Sequence, residues 1–485
     1  MTAKSIMFMG TGSDVGKSLI VAGLARLLSN RGISVAPFKP QNMSNNAAVT
    51  ADGGEIGRAQ ALQARAARLA PSVHMNPVLL KPETETGAQV IVQGIRVATM
   101  PAREFFAKRQ QYMPAILESF AKLKSHHEFI LVEGAGSPAE INLRDGDLAN
   151  MGFARAANVP AVLVGDIHRG GVIASIAGTF ELLDTADRNL LKAFLINKFH
   201  GDPGLFAQGR TFLETRTRTP CLGTIPHFPA AARLPAEDAV KLENMSVNNY
   251  TETIISVLRL PRIANFDDLD PLLATPGAAV HFIAEGKPIP ASSRLVIIPG
   301  SKSTIADLRA LKRSGWDIDI KAHYRRGGHV LGLCGGYQML GTAINDPTGL
   351  EGTPASETGL GLLAVETALA PNKTTVENKG VHVASGTALQ GYEIHLGRTT
   401  GPDCARPFAQ LRNGPDGATS PDGHVSGTYL HGCFASDAFR TAYLKSIGLE
   451  SEKFDHEKSI DDTLDQLAAH LATHLDVERL LKLAG

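Results

Sequence analysis

Two stretches of this sequence carry residue types that do chemistry. In "HVLGLCGGYQMLG", Cys334 stands between an apolar run and a helical pattern, in a Gly-x-Cys-Gly-Gly turn. A strand that turns sharply into a helix holds such a residue at a strained, exposed corner, the usual way to present a nucleophile. The N–H of Gly335 and the helix dipole would stabilise a thiolate and then an oxyanion. Gly300, in "IIPGSKS", is a candidate for the second oxyanion donor. A lone cysteine is by default a small buried hydrophobe, and the flanking glycines argue against that default here. A cysteine nucleophile needs a base. Among sixteen histidines, His431 in "GTYLHGCF" is the candidate, since it directly follows a strand pattern. Glu393 in "GYEIHLG" is a further candidate, as an assisting acid or a substrate contact.

The second stretch is "GTGSDVGKS", Gly10 to Ser18. Gly10, Gly12 and Gly16 lie between an apolar strand and a helix. They would let backbone N–H groups close around phosphate oxygens at a helix N-terminus. Lys17 would reach the β- and γ-phosphates of ATP, and the Ser18 hydroxyl would take one Mg²⁺ position. Acids that handle the metal belong at the carboxyl ends of neighbouring strands. Glu133, closing "FILVEGAG", is the first candidate for Mg²⁺. Glu55 in "TADGGEIG" is a further one, as is Asp52, although loop acids are usually just solvated. Asn197 in "LINKF" is a candidate to read the base, although a lone Asn at a strand end is as often a turn former.

These residues need a scaffold. Up to about residue 230, β-rich runs alternate with helical patterns: "SIMFMG", "ISVAPFKP", "EFILVEGAG", "VPAVLVGDI", "AFLINKF" and "CLGTIP". Such alternation implies a mostly parallel sheet covered by helices. The helix after the phosphate loop should stop at Gly32. Residues 1–235 form one expected unit, and 236–260 a connector with a helical stretch, "NNYTETIISVLRL". A second α/β unit follows over 261–445, built on "RIANFDDLD", "RLVIIPGSKS", "GGHVLGLCGGYQMLG", "GYEIHLGRT" and "HVSGTYLHGCF". The segment 446–485 is an expected helical tail.

At 485 residues the chain is too long for one ordinary core. Lys plus Arg and Asp plus Glu number 48 each, so no bulk charge draws it to nucleic acid or anionic membrane. No run approaches the roughly 20 apolar residues of a membrane span. The four cysteines (Cys221, Cys334, Cys404, Cys433) form no C-x-x-C pair. A disulfide framework or a zinc site is not expected, and a reducing cytoplasm is the simplest home. Nothing in the sequence sets an oligomeric state.

The long spacing of the phosphate loop resembles that of dethiobiotin synthetase, whose relatives activate a carboxylate with ATP. Partition ATPases of the wider superfamily carry a second lysine where this chain has Thr11, which counts against a dimerising ATPase switch. The thiol elbow with "GTYLHG" resembles the class I, triad-type glutamine amidotransferases. That implies a flavodoxin-like C-terminal α/β domain and glutamine hydrolysis through a thioester. The usual pattern there is His-x-Glu, but position 433 is Cys433. The resemblance leaves open a Cys–His dyad or an acid from elsewhere.

The two halves together resemble the cobyric acid synthase family, corrinoid amidoligases. The matching stretches run in order through the chain: "KPQNMSNNA", "EIGRAQALQARAA", "NPVLLKP", "VEGAGSPAEINL", "GDIHRGG", "PGSKST", "LGLCGGYQMLG", "GYEIHLGRT" and "GTYLHGCF". The resemblance implies ATP- and glutamine-dependent amidation of the b, d, e and g carboxylates of adenosylcobyrinic acid a,c-diamide, by way of acyl phosphates. It makes Lys39, Gln41, Asn42 and Asn45 candidate substrate contacts, with Ser44 and Asn46 in the same polar loop. Asp166 and Arg169 are expected at another strand end facing the same crevice, and His168 stands where relatives commonly carry an acid. The implied partners are small molecules: corrinoid, L-glutamine and ATP. A sister amidoligase acting at carboxylates a and c, and a partition-type ATPase, remain as alternatives.

Overall fold

The computed structural model describes residues 3–82, 87–235, 254–371 and 374–485. It divides into two units. One takes residues 1–44, 50–235 and 459–485. The other takes Asn45–Val49 and, from Ile254 on, the chain as far as Lys458.

The first unit is built on a six-stranded sheet. In spatial order its strands are Cys221–Pro226, Leu191–Phe199, Ala161–Asp166, Lys4–Gly10, Phe129–Glu133 and Val35–Phe38, all parallel. All six lie in the expected apolar runs. Lys4–Gly10 is buried at six of its seven positions, as a strand covered on both faces must be. The chain order reverses beside this first strand, so a crevice opens at its carboxyl end. The helix Lys17–Asn30 leaves from that end and stops as expected, with Gly32 at φ 79°. A smaller sheet, Gln41–Met43 with Val78–Pro82, Gly87–Val92 and Ile95–Pro101, branches off after the Val35–Phe38 strand.

The end of the chain completes this unit. The helices His456–His474 and Val477–Leu483 put Ile460, Leu464, Leu467, Leu471 and Leu480 into the same apolar cluster as Ile20, Leu24 and Leu28. Contact is close enough that a Cβ on Gly23 would lie 2.8 Å from the Leu467 side chain. Buried Arg26 anchors the arrangement on Asp461 at 2.6 Å.

The second unit has its own six-stranded sheet: Ala279–Ile283, Ile254–Leu258, Ser293–Ile298, His329–Leu333, Val425–Thr428 and Ala418–Thr419. All pairs are parallel except the last. A five-stranded antiparallel sheet carries Ala388–His395 paired with Leu430–His431. One expectation is corrected. "IISVL" in the supposed helical connector is a fully buried strand, because its β-branched residues suit a pleated, two-sided environment; the residues before Ile254 in that stretch lie outside the described set. Asn265 turns into the left-handed region and leads into a 3₁₀ turn, Phe266–Leu269.

Candidate active sites in the two units

In the first unit the phosphate loop is shaped without a ligand. Gly16 adopts φ 95°, and a side chain there would collide with Asn197, whose Nδ2 donates to the Val15 carbonyl at 2.8 Å. Asn197 therefore holds the loop. Lys17, 7% exposed, donates to the Gly12 and Gly136 carbonyls at 3.0 and 3.2 Å. Its ammonium is thus folded back across the cradle where phosphate oxygens would lie. Among the described residues no side chain caps the helix Lys17–Asn30, and no acid occupies its first turn. Both features suit an anion at its positive end.

Around Glu133 the expected residues converge. Ser18 Oγ donates to Glu133 Oε1 at 2.7 Å, and Lys39 Nζ does so at 2.9 Å. Gln63 Nε2 donates to the other oxygen at 2.6 Å. Burial alone would raise the Glu133 pKa, but the Lys39 charge and these hydrogen bonds outweigh it and hold the carboxylate below its usual range. Asn42 is buried against Gln60 at 2.9 Å, and Gln41 is half-buried on the same short strand.

Other expected residues are engaged elsewhere. Glu55 pairs with Lys81 at 2.6 Å, both almost fully buried. Asp52 caps the Ser72–Val73 turn. Asp166 closes its strand as expected but accepts from Lys198 at 3.0 Å and from the His168 N–H at 2.7 Å. Lys198 also donates to the Asp14 carbonyl of the phosphate loop. Arg169 is exposed in the next turn, and the His168 ring bonds His200 at 2.9 Å. Asn45 belongs with the second unit.

In the second unit Cys334 links the strand His329–Leu333 to the helix Gly335–Leu340 at φ 50°, ψ −106°. That backbone is strained for a residue with a Cβ. The corner is tight: a Cβ on Gly336 would run into the Ile298 carbonyl. Cys334 Sγ is half-buried and 3.6 Å from the Ile394 carbonyl. The two expected oxyanion donors border it. A Cβ on Gly300 would lie 3.3 Å from His431 Cε1, and one on Gly335 would lie 3.0 Å from the Ser301 nitrogen.

His431 is 2% exposed. Its Nδ1 is 2.7 Å from Asp268 Oδ2, and Asp268 Oδ1 accepts the Gly432 N–H at 2.6 Å. Burial would lower the His431 pKa, but Asp268 and then Cys334 reverse this and raise it well above its ordinary value. The Tyr392 ring stacks on the imidazole with centroids 5.3 Å apart. Glu393 instead faces Asn378, Asn413 and His395, so it is not the acid on His431.

Residues 6–242 match a model of the CobQ/CobB/MinD/ParA nucleotide-binding domain, and residues 254–439 match one of the CobB/CobQ-like glutamine amidotransferase domain. The cobyric acid synthase of Cereibacter sphaeroides is 58% identical over 480 residues, 99% of each chain. That of Paracoccus denitrificans is 58% identical with the same coverage, and that of Rhodobacter capsulatus 57% over the whole of both chains. The chain belongs to the cobyric acid synthase family. With that, the partition-ATPase and a,c-amidating alternatives fall away. The first unit is an ATP-binding domain, and the second is a glutamine amidotransferase domain.

Sequence reasoning passed over two residues at these cobyric acid synthase sites. Gln63 lies in "EIGRAQALQARAA", where its amide looks like any polar helix position. Asp268 lies 163 residues from His431, in "RIANFDDLD", where nothing local singles it out. Among the described residues no helix is long and apolar enough to cross a membrane.

Proposed function

We propose that the chain amidates the b, d, e and g carboxylates of adenosylcobyrinic acid a,c-diamide, with ATP to activate each carboxylate and glutamine as the nitrogen source. The observation that carries this is the presence, in one chain, of a phosphate cradle ringed by Ser18, Glu133 and Lys39 and a strained thiol beside an acid-bound histidine.

In the first unit Lys17 and the loop N–H groups hold the β- and γ-phosphates. A corrin carboxylate attacks the γ-phosphorus, the bond to the β-γ bridging oxygen breaks, and ADP leaves an acyl phosphate. Lys39, buried on Glu133, offsets charge on the transferring group. The donor set fits Mg²⁺. Ser18 Oγ and Glu133 Oε1 are oxygen donors 2.7 Å apart at the carboxyl end of the sheet, and they would hold a hard cation whose other ligands would come from phosphate and water. When bound, the metal would neutralise phosphate charge. Gln41 and Asn42 supply neutral hydrogen-bonding groups on the strand that follows Lys39.

In the second unit Cys334 attacks the glutamine side-chain carbonyl, with Gly300 and Gly335 offered to the oxyanion. His431 protonates the departing ammonia and then activates the water that hydrolyses the thioester to glutamate. Ammonia displaces phosphate from the acyl phosphate to give the amide. A cytoplasmic setting, where thiols stay reduced, fits a chain that depends on Cys334.

Mass spectrometry of adenosylcobyrinic acid a,c-diamide incubated with the protein, ATP, Mg²⁺ and glutamine tests this reading. Four successive hydroxyl-to-amide exchanges, with glutamate and ADP released in step, are expected. Hydrolysis of ATP and glutamine with the corrinoid unchanged would move the reading to another carboxylate.

A further inference from the structure

Glutamine hydrolysis by a cysteine works best when its histidine is held in one orientation and one tautomer. In the amidotransferases this chain resembles, a glutamate two residues after the histidine does this, and here that place is Cys433. The Cys433 thiol cannot substitute, because burial, reinforced by the nearby Asp268 charge, keeps it protonated well above the ordinary thiol range. We infer that Asp268, from the 3₁₀ turn Phe266–Leu269, is the positioning acid of the Cys334–His431 site.

Geometry carries the inference. Asp268 and His431 are 3% and 2% exposed, and burying a carboxylate so fully is costly unless it is paired and hydrogen-bonded. Both its oxygens are used: one takes the imidazole Nδ1, the other the N–H of Gly432 in the same turn. The ring and the backbone that carries it are thus fixed together. With Nδ1 occupied by the acid, Nε2 is left for the thiol, and Nε2 has no other hydrogen-bond partner among the described residues. The groups facing the imidazole are Asp268 from the 3₁₀ turn, Cys334 from the elbow and the Tyr392 ring from the neighbouring strand. Tyr392 itself is bonded through its hydroxyl to Asp267 and Asn265 on the turn that supplies Asp268. A surface anchor would need none of this convergence.

The inference rests on the glutaminase reading above, and the test separates the two. Glutamine hydrolysis by the full chain is measured against pH for the wild type, Asp268→Asn and Asp268→Glu. If the wild type releases no glutamate, the glutaminase reading fails. If it does, Asp268→Asn is expected to lower kcat at least about 100-fold with the glutamine KM within about 3-fold. The alkaline limb of kcat/KM, where the imidazolium is lost, should move to lower pH, because the carboxylate that holds that proton is gone. Asp268→Glu should return the limb toward its wild-type position. A kcat within about 3-fold of wild type in the Asn variant, or a loss of kcat with the limb unmoved, would overturn the inference. Should the Asn variant fail to fold, by circular dichroism and thermal unfolding, the Glu variant decides. A wild-type limb supports the inference, and one displaced to lower pH refutes it.

Discussion

Lys39 and Glu133 form an ion pair at 2.9 Å with side chains only 6% and 1% exposed. Ser18 shares the same carboxylate oxygen, so the helix after the phosphate loop, the end of the second strand and the end of a third meet at a single carboxylate. A buried charge in such a network contributes little net stability while intact, but its loss exposes the cost of the partner it leaves behind.

Glu133→Gln should therefore destabilise the first unit by about 3 kcal/mol or more, since the Lys39 ammonium stays buried. The pH dependence has a definite sign. The Glu133 pKa is depressed in the folded state, so its contribution is present above the unfolded value of about 4.3 and is lost as pH falls through the folded value. Denaturant unfolding at pH 7 and near pH 4 checks both. A variant as stable as wild type at pH 7 would show that the pair has no structural role.

The buried Glu55–Lys81 pair makes a contrasting prediction. Glu55→Leu or Lys81→Met alone should cost about 3–5 kcal/mol, whereas the double variant should recover most of that and keep ATP-dependent amidation. Loss of amidation in a stable double variant would support Glu55 as a metal ligand.

The chemistry of the two units should separate by nitrogen source. Cys334→Ala is expected to reduce glutamine-driven amidation by at least about 1000-fold while amidation from added ammonium chloride persists. Lys17→Ala should remove both, because phosphorylation of the carboxylate precedes either. Parallel assays of glutamate, ADP and amide formation distinguish the outcomes, and a Cys334→Ala protein that is folded yet inactive with ammonia would break the scheme.

At the elbow, Gly336→Ala places a methyl group against the Ile298 carbonyl. Overpacking a backbone contact of this kind costs about 1–3 kcal/mol. It should also displace Cys334, so glutamine hydrolysis falls while ammonia-driven amidation stays near wild type. Equal glutaminase rates would mean that the corner relaxes freely.

Asp416 offers a pH test away from the reacting groups. Burial, with a smaller push from Glu393, raises its pKa to about 6. Between the unfolded carboxyl range near pH 4 and about pH 6, the folded state holds a proton that the unfolded state has lost, so this group makes stability fall as pH rises across that window. Asp416→Asn should flatten that slope, as read from unfolding midpoints at pH 4.5 and 6.5.

What the sequence disclosed follows from physics. The strands of both parallel sheets are near-continuous apolar runs, and "SIMFMG" or "FILVE" cannot be read otherwise. The elbow announced itself through glycines that must lie around Cys334 for the turn to close. Three-residue strands such as Gln41–Met43 are too short to carry a period. "IISVL" was hidden by the polar residues before it, which lent it a helical look. Asp268 was illegible for another reason. Its meeting with His431 is made by tertiary structure alone, and "NFDDLD" offers three acids with nothing local to choose among them.

The docking of the last helices onto the first sheet has a consequence for how the molecule is made. During synthesis the ATP-binding unit emerges first, yet Leu464, Leu467, Leu471 and Leu480, which close one face of its core, are translated only after the glutaminase unit. Until then the helix that follows the phosphate loop presents an unfinished apolar face at Gly23, and Arg26 waits for Asp461. A nascent chain cut short after the first unit would leave the ribosome with that face uncovered, prone to aggregate and to be cleared.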